Sequence, residues 1–240
     1  ENKNFNQRYL SKYFSALVSH ENGDNELAIN YFNSTKSFLR IYPNYFDQYI
    51  NSLVLDNKVP QAINQIKTFD RKNNVNNFQA NLLLTIDALK NNKFKKANIH
   101  LSNMEEILIS SSYEKIIYQI LKSYNQLFLD KKIYNIENYG KLSKILLAFQ
   151  HCYLDDQKSI NYFAELVNLE SGDYSRYLFF YLSNLIRGKE YDTAKIVSLK
   201  IEPITSTLLI LQSKNWVDKN DFDKFSEVFS CKSEKDILAE

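Results

Sequence analysis

An all-α chain of antiparallel helix pairs is predicted by three features of the sequence. Its 240 residues include only four Gly and three Pro, too few for the turns of a β-sandwich or a doubly wound sheet. Apolar residues recur with a helical period. Short motifs return at intervals close to 34 residues, the sign of a repeat architecture.

Composition sets the bounds. At 44% apolar residues the chain can build a core and is not generally disordered. Its length lies at the upper end for one compact domain. The 14% aromatic content, mostly Tyr and Phe, suits interfaces between bulky helices. A formal net charge of +2 is too small for a nucleic-acid footprint. Abundant Lys, Asn, Ile and Tyr, with scarce Ala, Gly and Arg, read as the codon bias of an AT-rich genome rather than as function. The most apolar run, YLFFYLSNLI from Tyr177, is about half the roughly 20 residues a bilayer requires, so no membrane span is expected. The sequence starts at Glu1 without Met, which is compatible with removal of an upstream leader. Cytoplasmic and periplasmic locations both stay open.

The repeat emerges when Ala28, Ala62 and Ala97 are set in register, 34 and then 35 residues apart. A turn former stands five positions before each: Gly23, Asn57 and Asn92. Four positions after each come Phe32, Ile66 and Leu101, one turn further along the same helical face. Ser159 with Phe163 and Ala194 with Ser198 continue the pattern, whereas the stretch between Ala97 and Ser159 fits poorly. Each unit reads as a first helix, a tight turn and a second helix. The small residue lies where the two helices meet, and a larger side chain there would force them apart. The turn former takes the left-handed conformation that ends the first helix. Pro60 suits the first turn of its helix, where no N–H is needed. Pro43 and Pro203 are expected to follow second helices and stop them.

Taken in order, helices are expected near 6–21, 24–40, 44–56, 59–70, 75–91, 93–109, 113–130, 141–153, 156–169, 173–187, 190–200, 203–214 and 219–229, with a short one near 132–138. The first carries Tyr9, Leu10, Tyr13, Phe14, Ala16 and Leu17 as one stripe, and the fifth carries Leu82, Leu83, Ile86 and Leu89. One pair cannot cover its own apolar surface, so neighbours must stack. The closing EKDILAE reads as the opening of a further helix, and the chain is expected to be a piece of a longer repeat protein.

With its 34-residue spacing, the Gly23/Ala28/Phe32 set with Pro43, and the weaker sets Asn57/Ala62/Ile66 and Asn92/Ala97/Leu101, the chain resembles the tetratricopeptide repeat (TPR) family. The likeness is good over about 6–110, moderate over 142–202 and poor in the irregular middle, 111–141, and the overall look is similar to bacterial multi-repeat members of that family. The early Trp and the Leu-Gly pair of the family pattern are missing, and Pro43 comes three residues late, which implies a longer second helix. The resemblance implies one right-handed superhelical solenoid over 1–240, with a concave groove lined by first helices that holds a peptide or partner protein. Carried onto this sequence, groove positions are Leu10, Tyr13, Phe14, Leu17 and His20, then Asn44, Asp47, Gln48, Asn51 and Val54, then Gln79, Leu82, Leu83, Ile86 and Leu89. Of the carboxylate clamp some family members use, only Asn51 matches and the paired Lys are absent, so that clamp is rejected. A neutral groove is the expectation: Asn44, Gln48, Asn51 and Gln79 facing a partner backbone and Tyr13 supplying apolar contact.

Catalytic and metal motifs are not found. There is no Gly-rich phosphate loop and no HExxH. His20, His100 and His151 are scattered. Adjacent His151 and Cys152 point about 100° apart on a helix and do not face each other. DKNDFDKFSEVF from Asp218 lacks the central Gly and the final Glu of a calcium loop and reads as a helix-capping turn. Cys152 and Cys231 form no CxxC pair and are expected to be two buried or half-buried thiols. Lys90, Lys93, Lys95 and Lys96, with Arg71 and Lys72 upstream, read as a solvated face. Trp216 reads as an anchor between helices. The functional expectation is a scaffold without catalysis, cofactor or metal that binds a protein or peptide. The alternative is a structural, self-associating segment of a larger assembly.

Overall fold

The computed structural model describes residues 7–40, 43–73, 77–107, 112–168, 175–198 and 229–239. Pro203, Trp216, the expected helix 203–214, and all but Phe229 of the expected helix 219–229 and of the turn from Asp218 lie outside these residues. Among those described there are twelve α-helices and no strand. They are α1 (Gln7–Glu21), α2 (Asn25–Ser34), α3 (Pro43–Leu55), α4 (Val59–Asn73), α5 (Phe78–Lys90), α6 (Phe94–Ile107), α7 (Ser112–Asp130), α8 (Lys141–Tyr153), α9 (Lys158–Val167), α10 (Ser175–Arg187), α11 (Tyr191–Ser198) and α12 (Glu234–Ala239). Helices pack against their sequence neighbours, α1 on α2, α2 on α3 and α3 on α4, and again α8 on α9, α9 on α10 and α10 on α11.

Five turns between helices share one hydrogen-bonding pattern. Gly23, Asn57, Asn92, Asp155 and Lys189 all take positive φ, between 54° and 77°. At each, the residue's own N–H donates to the carbonyl three back, and the next N–H donates five back, as in Lys58 to Leu53 (2.7 Å) and Lys93 to Ala88 (2.8 Å). This double closure satisfies carbonyls that a helix end would leave open. Ala28, Ala62, Ala97 and Ala194 follow their turns by five residues and are all fully buried. Ser159 follows Asp155 by four and is also buried, its hydroxyl donating to Asn184 Oδ1 at 2.9 Å.

The chain divides into two compact units, Glu1–Asp87 with Ile99–Ile109, and Ala88–Asn98 with Ser110–Glu240. The core of the first gathers Ala16, Ala28, Phe32, Tyr45, Leu53, Ala62 and Ile66. Phe32 meets Tyr45 edge-on at 5.0 Å, and Phe46 stacks on Phe69 at 4.3 Å. The core of the second centres on Phe149, Phe163 and Phe180, with Phe149 5.4 Å from Phe163 and 5.0 Å from Phe180.

Several expectations are corrected. The helix expected over 24–40 stops at Ser34 and continues as a 3-10 turn, Lys36–Arg40. There the Thr35 hydroxyl donates to the Tyr31 carbonyl at 2.9 Å, the Thr35 N–H donates to the Phe32 carbonyl three residues back, and the Tyr45 hydroxyl donates to that same carbonyl, so the last acceptors are met by side chains and a tightened turn. Pro43 does not stop a long second helix; it opens α3, where a missing N–H costs nothing.

No helix forms near 132–138. Residues 131–139 are an irregular strap that returns along α7. Glu137 N–H donates to Gln119 Oε1 at 3.2 Å, and Lys115 pairs with Glu137 at 2.7 Å. At the other end, the Lys131 ammonium lies 4.4 Å from the Tyr153 ring centre. The start of α8 therefore lies by the start of α7, the two ends lie together, and α7 and α8 run parallel. An extended chain rises about 3.3 Å per residue against 1.5 Å in a helix, so nine strap residues span the length of α7 where a seven-residue helix could not. This also explains why Ala97 and Ser159 are only 62 residues apart, short of two full repeats.

Cys152 and Cys231 are buried as expected, but they are bonded to each other, with Cα atoms 5.7 Å apart. Their separation of 79 residues hid the contact. Closing a loop of that length stabilises the fold by about 4–5 kcal/mol through the unfolded chain.

Candidate functional site

The expected groove face is carried by α3. Asn44, Gln48 and Asn51 stand at i, i+4 and i+7, so the helix brings them onto one face. Asn44 and Asn51 are exposed and Gln48 is half-buried. Gln48 Oε1 is buried without a hydrogen-bond donor, while its carbonyl accepts from Ser52 Oγ at 2.9 Å. Ser52 Oγ also lies 2.9 Å from His20 Nδ1, which ties α1 to α3. Gln79, in the first turn of α5, is exposed. Tyr13 is placed differently. It is half-buried, stacks on Tyr45 at 5.7 Å and meets Phe38 edge-on at 5.9 Å. Its ring is part of the aromatic packing of the first unit.

Beside this row lies Asp47, which accepts from Asn77 Nδ2 at 2.5 Å. Burial pushes its carboxyl above the usual aspartate range. Asn77 Oδ1 in turn accepts the Ala80 N–H at 2.7 Å and caps α5. A half-buried acid linked to a cap thus couples the α3 face to the start of α5. Tyr49 holds the other flank of α3, its hydroxyl donating to Asn33 Oδ1 at 2.8 Å.

The second unit carries two cavities that the sequence did not point to. One, of about 270 Å³, lies between α7 and the strap and is lined by Gln119, Lys122, Ser123, Gln126, Tyr134 and Glu137. The other, of about 110 Å³, is lined by Asp155, Asp156, Ser159, Asn184, Arg187 and Gly188. Arg187 Nη2 donates to Asn184 Oδ1 at 2.8 Å, while Nε and Nη1 are buried without acceptors. Burial lowers the guanidinium pKa from its ordinary value, and nearby Asp155 works against that shift. A half-buried Arg inside a repeat has no sequence signature; the α7 glutamines beside the strap have one only once the parallel path of α7 and α8 is known.

His151 and Cys152 do not act on each other. His151 Nδ1–H donates to Asp156 Oδ2 at 2.8 Å and its ring stacks on Tyr162 at 5.0 Å. The Lys158 N–H and His151 together hold the Asp156 carboxyl below the usual range. Among the described residues no three His, Cys, Asp or Glu side chains gather as a metal site, and no helix is long and apolar enough to cross a membrane. Lys90, Lys93, Lys95 and Lys96 are exposed; the side chains of Arg71 and Lys72 lie outside the described residues. No protein-family model, curated protein or solved structure matches this chain.

Proposed function

We propose that this protein is a TPR-like helical-repeat scaffold that binds an extended peptide or partner protein without catalysis. What carries the reading is the repeated turn: five positive-φ caps with one hydrogen-bond pattern, each followed by a buried small residue. Repetition of a structural unit with an unchanging interior makes a frame whose outer faces are free to vary. The face of α3 offers carboxamides at one-turn spacing, with an unfilled acceptor at Gln48. Carboxamides both donate and accept, so such a row matches the N–H and C=O groups of an extended backbone without demanding charge. The occupant favoured by this chemistry is an uncharged extended peptide segment.

The test is to pan a displayed library of random peptides against the purified chain and against a Gln48→Ala/Asn51→Ala variant of equal helicity. Peptides enriched on the parent and lost on the variant support the reading. Equal enrichment on both removes the α3 face from the site, and failure of any peptide to enrich removes the peptide-binding scaffold.

A further inference from the structure

The cysteine bond lies in an apolar core, yet one of its sulfurs faces two nitrogen donors. Cys152 is in the last turn of α8 and is 1% exposed; Cys231 is fully buried in the irregular stretch before α12. Two nitrogen donors point at Cys152 Sγ, Asn184 Nδ2 and Arg187 Nη2, each at 3.5 Å. As a disulfide sulfur, Sγ is a poor acceptor for them. As a thiolate it would carry a full negative charge beside a guanidinium whose Nε and Nη1 have no acceptor. The Asp155 carboxylate lies 3.9 Å from Nη2 of that guanidinium, and its side chain is 80% exposed, so water screens it. Cations beside a cysteine stabilise its thiolate, and stabilising the reduced form makes a disulfide easier to reduce.

What the bond holds is equally defined. Phe229 stacks on Phe179 at 4.9 Å and meets Phe180 edge-on at 5.8 Å. Ile237 of α12 is buried in the same core. Glu234 accepts from the Tyr153 hydroxyl at 2.5 Å and from Lys131 at 3.1 Å. Ser233 and Asp236 cap α12 reciprocally. With six residues, α12 is too short to persist alone.

We propose that Cys152–Cys231 is a redox-sensitive latch, which seats the segment 229–239 when oxidised and lets it leave when reduced. The reductant is a small dithiol or a dithiol protein. Its thiolate attacks Sγ of Cys231 during a local opening of the core around that fully buried sulfur. The Cys152–Cys231 bond breaks, and Cys152 leaves with the electron pair as a thiolate facing Arg187. The second thiolate of the reductant then attacks the mixed disulfide. Cys231 is released and takes a proton from water, and the reductant departs as its own disulfide. Two electrons pass to the protein, and opening uncovers the faces of Phe179 and Phe180. The latch does not depend on what the α3 face binds.

Titration of the purified chain in dithiothreitol redox buffers tests it, with thiols trapped by N-ethylmaleimide and counted by intact mass. Arg187→Gln is expected to shift the equilibrium about tenfold toward the disulfide, about 30 mV for a two-electron couple. Arg187→Lys, which keeps the charge, is expected to shift it less and covers the case in which the Gln variant does not fold. Trypsin cleavage at Lys232 and Lys235 is expected only in the reduced chain, and in both buffers for Cys152→Ser/Cys231→Ser. Two free thiols in the air-oxidised protein, an unchanged equilibrium in both Arg187 variants, or cleavage indifferent to redox state would each overturn the proposal.

Discussion

The buried carboxamide of Gln150 holds both main-chain groups of Tyr134: Nε2 donates to the Tyr134 carbonyl at 3.0 Å, and Oε1 accepts the Tyr134 N–H at 2.8 Å. One side chain of α8 thereby replaces the strand or helix partner that an irregular segment lacks. Gln150→Leu keeps the volume and removes both bonds, leaving the two backbone groups to water or unsatisfied. A loss of about 1–3 kcal/mol is expected. Hydrogen exchange at the Tyr134 amide should accelerate more than exchange in α9. Unchanged protection at Tyr134 would show that the strap is held by its other contacts.

The seam between paired helices gives a second prediction. Ala62 is fully buried, whereas Lys96 is exposed. Ala62→Leu should cost about 1–3 kcal/mol through overpacking, and Lys96→Leu less than about 0.5 kcal/mol. Thermal melts of the two variants measure the difference, and equal midpoints would contradict the seam position of Ala62.

Lys189 occupies the same left-handed turn position as Gly23, with φ of 63° against 77°. A Cβ at this φ crowds the following carbonyl, a strain of about 1–2 kcal/mol that glycine does not feel. Glycine also has more freedom to lose on folding, which offsets about half of that. Lys189→Gly should therefore stabilise by roughly 0.5–1 kcal/mol, read as a higher denaturant midpoint with unchanged slope. A lower midpoint would mean that the Lys189 side chain makes a favourable contact outweighing the strain.

These turns show what was legible. Gly23, Asn57 and Asn92 were readable because short residues that tolerate positive φ stood at fixed distances from a small residue. Lys189 has the same conformation without a residue type that favours it, and Asp155, which tolerates it, stands four rather than five positions before its small residue, so the spacing of Ala194 and Ser159 only hinted at them. The α3 row was readable because Asn44, Gln48 and Asn51 share a helical face. Tyr13 was not, because an aromatic on a helix stripe looks the same whether it lines a groove or packs on Tyr45 and Phe38. The strap was hidden because Ile133, Tyr134 and Ile136 carry a pattern compatible with one helical turn. What decides their path is Gln119 and Gln150, on helices before and after. The disulfide was hidden for the same reason: contact across 79 residues is a property of packing.

Tyr45 supplies a pH test of the first unit. Its hydroxyl is buried, donates to the Phe32 carbonyl and lies 3.0 Å from Thr35 Oγ1. Burial is the main cause that pushes its pKa from 10.0 up to about 12, against the lowering effect of Thr35. A phenol that ionises less readily when folded stabilises the fold fully below its unfolded value. That contribution, about 2–3 kcal/mol, is lost as pH rises from about 10 through about 12. Wild-type protein should therefore show a steep fall in denaturant midpoint across this window. Tyr45→Phe should start less stable at pH 8, having lost the hydroxyl's hydrogen bonds, and then fall less steeply. Tyr49, whose pKa burial also raises, remains in that variant and accounts for a residual slope. Parallel curves for the two proteins between pH 9 and 12 would show that Tyr45 ionises as freely in the fold as in the unfolded chain.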